Sequence, residues 1–206
     1  MLNKKRCGWC GIDEIYCQYH DSEWGVPCFD DTKLFEFLTL EGAQAGLSWI
    51  TILKRREHYR LAFSNFEVNK IARYTEKDVL RLMNNKGIIR NRLKIESTIS
   101  NAICFQKIQL EFASFSNYIW GWVDNKPLVN NWTHLDELPA RTDKSDMISR
   151  DMRSRGFKFF GSTICYAFMQ AMGLVDDHID TCFKRTDNEL KSVSYTHLTL
   201  PTTPYV

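Results

Sequence analysis

No apolar run in the 206-residue chain approaches the roughly 20 residues that a helix needs to cross a bilayer, so no membrane partner is expected. No apolar segment follows the basic start Lys4-Lys5-Arg6 either, so no secretory signal is read there and the expected compartment is the cytoplasm. Strong charge of one sign is missing. The formal net charge is +2, which neither demands nor excludes nucleic acid, because a local basic face matters more than the total. The seven cysteines are an odd number without a signal, which argues against a disulfide framework and leaves thiols for burial or for metal. Internal repeats and low-complexity linkers are absent from residues 1–184, and period-2 alternation is scarce.

What is present is the composition of a soluble globular protein, 44% hydrophobic and 25% charged, in one domain or two closely packed lobes. Six tryptophans, eight tyrosines and thirteen phenylalanines supply a core with aromatics to spare for stacking. Apolar residues recur at spacings of three and four, so the expected fold class is all-α. Asp30, Asp31 and Thr32 offer an N-cap for a helix through Leu34, Phe35, Phe37 and Leu38, which Gly42 and Gly46 interrupt or tighten. A second helix is expected from Ser48 to about Phe63.

Thr75-Glu76-Lys77-Asp78 forms a capping-box pattern ahead of Val79, Leu80, Leu82 and Met83, with Gly87 expected as a left-handed stop. The next helix is expected over about Asn91 to Lys107, with Leu93, Ile95, Ile99, Ala102 and Ile103 inward. Pro127 and Pro139 break helical continuity between residues 111 and 144. Short helices then follow from Ser145 to Gly156 and from Ser162 to Met172. Residues 187–206 are rich in Thr and Pro with no helical pattern, and they read as a disordered or foreign tail beyond a domain of residues 1–186.

Cys7 is followed, after twelve residues, by His20, and near the other end His178 and Cys182 stand at i and i+4, on one face if helical. Two thiolates and two imidazoles suit one tetrahedral zinc ion with no open position, a structural rather than catalytic arrangement. Such a clip would join chain ends separated by 157 residues, where it restricts the unfolded chain most. The spacing also admits ordinary buried cysteines and histidines, and Cys10 and Cys17 compete as ligands.

The run from Leu80 to Lys94 reads as helix, glycine hairpin, helix. Backbone N–H groups at Gly87 and at the following helix start can point at a phosphate, with Lys86, Arg90, Arg92 and Lys94 around them. A solvated basic face is the plainer reading. Arg150, Arg153, Arg155 and Lys158 form a second basic group that reads as plain surface.

Two stretches combine aromatics and acids. Tyr16 to Pro27 would place Tyr16, Tyr19 and His20 on one side of a helix. Leu40 to Trp49 sets Glu41 and Trp49 among small residues that let a flat ring approach closely. Core packing for the aromatics and a surface or capping role for Glu41 are the alternatives.

Arg6-Cys7-Gly8-Trp9, Tyr19 to Pro27, Glu41 to Trp49, Gly156 to Gly161, Thr163 to Tyr166 and Gly173 to His178 together closely resemble the DNA-3-methyladenine glycosylase I family, in order over nearly the whole domain. The resemblance implies an all-helical member of the helix-hairpin-helix glycosylase superfamily with a zinc clasp at Cys7, His20, His178 and Cys182. It also implies a base pocket of Trp9, Tyr16, Tyr19, Glu41 and Trp49, with Leu47 as the side chain inserted into the DNA gap. It ends near Cys182.

The expected activity is base-excision repair of alkylated double-stranded DNA by a monomer. The enzyme extrudes the damaged nucleotide, stacks the cationic 3-methyladenine on Trp49 and meets its polar edge with Glu41. No lysine stands in either pocket motif, so strand cleavage through a Schiff base is not expected. A non-catalytic module that binds alkylated DNA and a zinc-dependent hydrolase are the rival classes.

Overall fold

The computed structural model describes residues 4–185, so the tail expected over 187–206 lies outside the described residues. Ten α-helices, three short 3-10 turns and a small ribbon make up the described fold. The helices are α1 (Glu14–Ser22), α2 (Asp31–Gln44), α3 (Trp49–Leu53), α4 (Arg56–Ala62), α5 (Val68–Ile71), α6 (Glu76–Met83), α7 (Arg92–Phe112), α8 (Phe115–Gly121), α9 (Asp143–Ser154) and α10 (Ser162–Ala171). The strands β1 (Leu128–Val129) and β2 (Val175–Asp176) pair in parallel, Leu128 opposite Val175, and a single bridge joins Trp132 to Ile179.

α2 is the hub. Every residue from Leu34 to Ala43 is buried, and the helix packs against α3, α7, α8 and α10. A helix buried all round has no solvent face to keep polar, which is why Leu34, Phe35, Phe37, Leu38 and Leu40 are spread over every side of it. Its two buried acids, Glu36 and Glu41, therefore need either partners or a purpose. The Asp30 carboxylate caps its start by accepting from Lys33 N at 2.7 Å, and Asp31 reaches across to accept from Phe115 N and Ser116 N, pinning the start of α8.

Several helix limits differ from expectation. The stretch from Ser48 to Phe63 breaks at Lys54 and Arg55, which lets Arg56 turn inward to Glu36 and Glu23. The Thr75–Asp78 capping box is present, but α6 stops at Met83 and Gly87 is not left-handed. Gly87 is required for another reason: a Cβ there would lie 2.8 Å from His58 Cγ. On α7, Leu93 and Ile103 are 65% and 42% exposed rather than inward. Ser97, Thr98 and Asn101 take the buried face instead, and Asn101 exchanges two hydrogen bonds with the Lys158 backbone. α8 and the ribbon fall within 111–144 and 174–176, where no regular element was expected.

Candidate active site

Five helical segments and two loops converge on one cavity of about 180 Å³, lined by Trp9, Tyr16, Tyr19, Trp24, Glu41, Gln44, Trp49, Leu138, Ala167 and Gln170. A cavity of roughly 150 Å³ is enough to hold a benzene ring. Asp13 caps α1 through Ile15 N and Tyr16 N, and the helical spacing then turns Tyr16 and Tyr19 to the same side. Trp9, on a single turn of 3-10 helix before α1, meets Tyr16 at 5.1 Å and Trp24 at 5.0 Å between centroids. Trp49 opens α3 and lies 5.4 Å from Tyr19 and 6.0 Å from Phe37. All five residues expected in a base pocket from the sequence are brought together here. Glu41 and Trp49 do so across a turn, one from α2 and the other from α3.

That turn is tightly held. Gly46 has φ +81°, a conformation that costs most residues energy, and Leu47 N donates to Gln44 O. Lys94, at the start of α7, sends its ammonium to the carbonyls of Ala43 and Ala45 at 2.8 and 2.7 Å, satisfying groups that the end of α2 leaves without intrahelical donors. Leu47 projects at the tip, 41% exposed.

Glu41 is 4% exposed, and no donor reaches its carboxyl among the described residues; burial pushes its pKa up to about 8. The other buried acid of α2, Glu36, is instead paired with Arg56 and Arg60. Arg56 also binds Glu23 and lies 4.8 Å over the Phe37 ring, which stacks on Tyr19. A buried charge network thus fixes the back of the aromatic wall while the front keeps an uncharged acid. Burial also raises the Tyr16 and Tyr19 hydroxyls, which remain neutral donors.

Beside the cavity, one ligand atom each from Cys7, His20 and Cys182 lie within 4.8 Å of one another, all buried. His20 Nε2 is 3.4 Å from Cys182 Sγ, and its Nδ1 faces Asp21 Oδ1 at 2.9 Å. Asp21 is itself gripped by Arg6 at 2.8 Å through both oxygens, which holds its carboxyl down to about 2. His178 stands outside the three-atom set, but its Nδ1 faces Asp176 Oδ1 at 2.8 Å and its Nε2 is buried without a partner. Both histidines therefore carry a carboxylate on Nδ1, with Nε2 of His178 unpaired and Nε2 of His20 turned to Cys7 N and the Cys182 thiol, the orientation expected of metal-ligating imidazoles. Residues 178–182 are not helical, so their i, i+4 spacing is closed by a turn after the Ile179 bridge. Cys10 and Cys17 donate instead to Cys7 O and Gly11 O.

The methyladenine glycosylase family matches residues 9–185. The chain belongs to that family. DNA-3-methyladenine glycosylase of Haemophilus influenzae is 50% identical over 177 residues, 86% of this chain and 96% of the relative. A solved 3-methyladenine DNA glycosylase I superposes with a TM-score of 0.86 at 49% identity, covering 88% of this chain and all of the other. A variant of such an enzyme solved in complex with 3-methyladenine gives 0.86 at 36% identity, covering 88% and 98%.

In this family member the turn from Asn84 to Asn91 between α6 and α7 lies apart from the cavity residues, with Arg55, Lys86 and Arg90 lining a depression beside it. Arg92 is engaged by Glu76 and Glu96 at 2.7 Å, and Lys94 is spent on α2, so the basic group is smaller than the sequence suggested. Sequence reasoning missed Trp24, Gln44, Leu138, Ala167 and Gln170 as lining residues. Trp24 sat inside a quoted motif and Gln44 one turn after Glu41; nothing local marks Leu138 or Gln170.

Proposed function

We propose that the protein hydrolyses the N-glycosidic bond of 3-methyladenine in alkylated double-stranded DNA, as a cytoplasmic monomer acting on an extruded nucleotide. The carrying observation is a buried carboxyl without a hydrogen-bond donor in an aromatic box the size of one flat ring. A base inside a duplex cannot reach such a cavity without leaving the stack.

N3-methylation makes the adenine of the nucleotide cationic and labile, so recognition does most of the catalytic work. Trp49 stacks on the ring, and cation–π attraction contributes about 0.5–2 kcal/mol. A cation entering the box favours ionised Glu41, so the acid is neutral when empty and anionic beside the charged ring. It then accepts from the adenine edge and opposes the positive charge that develops on the sugar. No lysine lines the cavity, which supports release without a lyase step.

Leu47 at the tip of its braced turn is suited to fill the gap left in the duplex. The α6–α7 turn, read as a helix-hairpin-helix element, meets phosphate through Gly87 and Arg90, with Arg92 at its rim. One structural zinc ion would be held by Cys7, His20, His178 and Cys182, supplying a cross-link between the two ends of the domain. The donor set fits: two soft sulfurs, two imidazoles oriented by acids, and an Nε2 with no other partner.

The test is base release from methylated DNA followed by chromatography. Free 3-methyladenine is expected from the wild type, with a loss of at least a hundredfold in Glu41→Gln and in Trp49→Ala while bulk DNA binding persists. Affinity for methylated DNA without any released base would favour a non-catalytic binding module instead.

A further inference from the structure

Asp177 is fully buried and collects four hydrogen bonds, each 2.7 Å long. Asn130 Nδ2 and Trp132 Nε1 donate to Oδ1; Tyr166 OH and Gln170 Nε2 donate to Oδ2. Of these four partners only Gln170 also lines the cavity that contains Glu41. Its backbone is fixed as well, since its carbonyl accepts from Gly25 N at 2.9 Å and Gly173 N at 3.3 Å.

A carboxylate ringed by donors offers only lone pairs, so the amide of Gln170 must turn its NH2 towards Asp177. Its carbonyl oxygen Oε1 is then committed to the other direction. Oε1 has no hydrogen-bond partner among the described residues and is not one of the sealed polar atoms. The cavity wall thus carries an acceptor whose orientation is set from behind.

We propose that Gln170 is a specificity-determining residue whose Oε1 accepts a hydrogen bond from the exocyclic amino group of the bound adenine, with Asp177 as the positioning residue that prevents the amide from flipping. The proposal rests on the reading of the cavity as a base pocket. A purine with an oxo group at that edge would set acceptor against acceptor, and a buried group left without its bond carries its full desolvation cost. Glu41, neutral in the empty site, can adapt by gaining or losing its proton. The locked amide cannot.

The experiment measures single-turnover release of 3-methyladenine and 3-methylguanine separately from the same methylated DNA. Gln170→Met keeps the length of the side chain and removes the acceptor. It is expected to slow 3-methyladenine release about tenfold and, because the acceptor that opposed the oxo group is gone, to raise 3-methylguanine release, so that the ratio falls at least about tenfold. Asp177→Asn frees the amide to flip and is expected to give an intermediate ratio. A ratio unchanged within twofold in Gln170→Met overturns the proposal. If that variant lacks a cooperative melting transition, Gln170→Asn, which withdraws the amide by one methylene, is judged by the same criterion. Absence of any base release by the wild type would sink the pocket reading itself, a different result from release without a change in ratio.

Discussion

The rings of His20 and His178 stand edge to face, 5.2 Å between centroids and 86° between planes, each with a carboxylate on Nδ1. One comes from α1 and the other from the turn after β2, so the pair joins the two ends of the described chain.

Metal analysis of purified protein should return one zinc per chain. Removing it with a chelator should lower the melting temperature by several degrees, and His178→Ala should lose the metal while retaining helical circular dichroism. Protein free of zinc with unchanged melting would exclude a structural ion.

Gly25→Ala should be among the most damaging small substitutions. Gly25 has φ +73°, and a Cβ there would lie 2.6 Å from His178 Cε1. Backbone strain of about 1–3 kcal/mol and displacement of the imidazole act together. Denaturant unfolding and zinc affinity, measured on the same preparation, should both decline.

Glu41 has its folded pKa raised to about 8, above its value in the unfolded chain. Between roughly pH 4.5 and 8 the unfolded state therefore holds fewer protons than the native one, and stability falls as pH rises, by at most about 1.4 kcal/mol per unit from this group. Glu41→Gln should flatten that slope in urea titrations across the window while abolishing base release. A slope unaltered by the substitution would mean that the acid is already ionised in the empty protein.

Lys94→Met removes both donors from the carbonyls of Ala43 and Ala45. The expected cost is about 1–3 kcal/mol, together with a fall in base release larger than the stability loss explains, because Leu47 hangs on that turn. Equal turnover at saturating DNA would restrict Lys94 to a stabilising role.

The helical class, the Asp30 cap, the Thr75 capping box and the five pocket residues Trp9, Tyr16, Tyr19, Glu41 and Trp49 were legible because local spacing or a motif carries each. Helix breaks were less so. The interruption at Lys54 and Arg55 follows from the tertiary pull of Glu36 and Glu23 on Arg56, which no local propensity reports. Gly87 invited the wrong explanation for the same reason, since its need for hydrogen at Cα comes from His58, 29 positions away in the chain. Gln170 was invisible because its role depends on Asp177 and the parallel ribbon, and a two-residue strand leaves no periodic trace.

α1 serves two masters within nine residues: Tyr16 and Tyr19 face the cavity while His20, the next position, faces the thiols. Adding one residue between Tyr16 and Tyr19 would swing the second part of the helix by about 100°, parting the phenols and carrying the imidazole away from the thiols in the same motion. The aromatic cavity and the thiol–imidazole cluster are thus geared to a single short rod, and neither can drift in register without dragging the other.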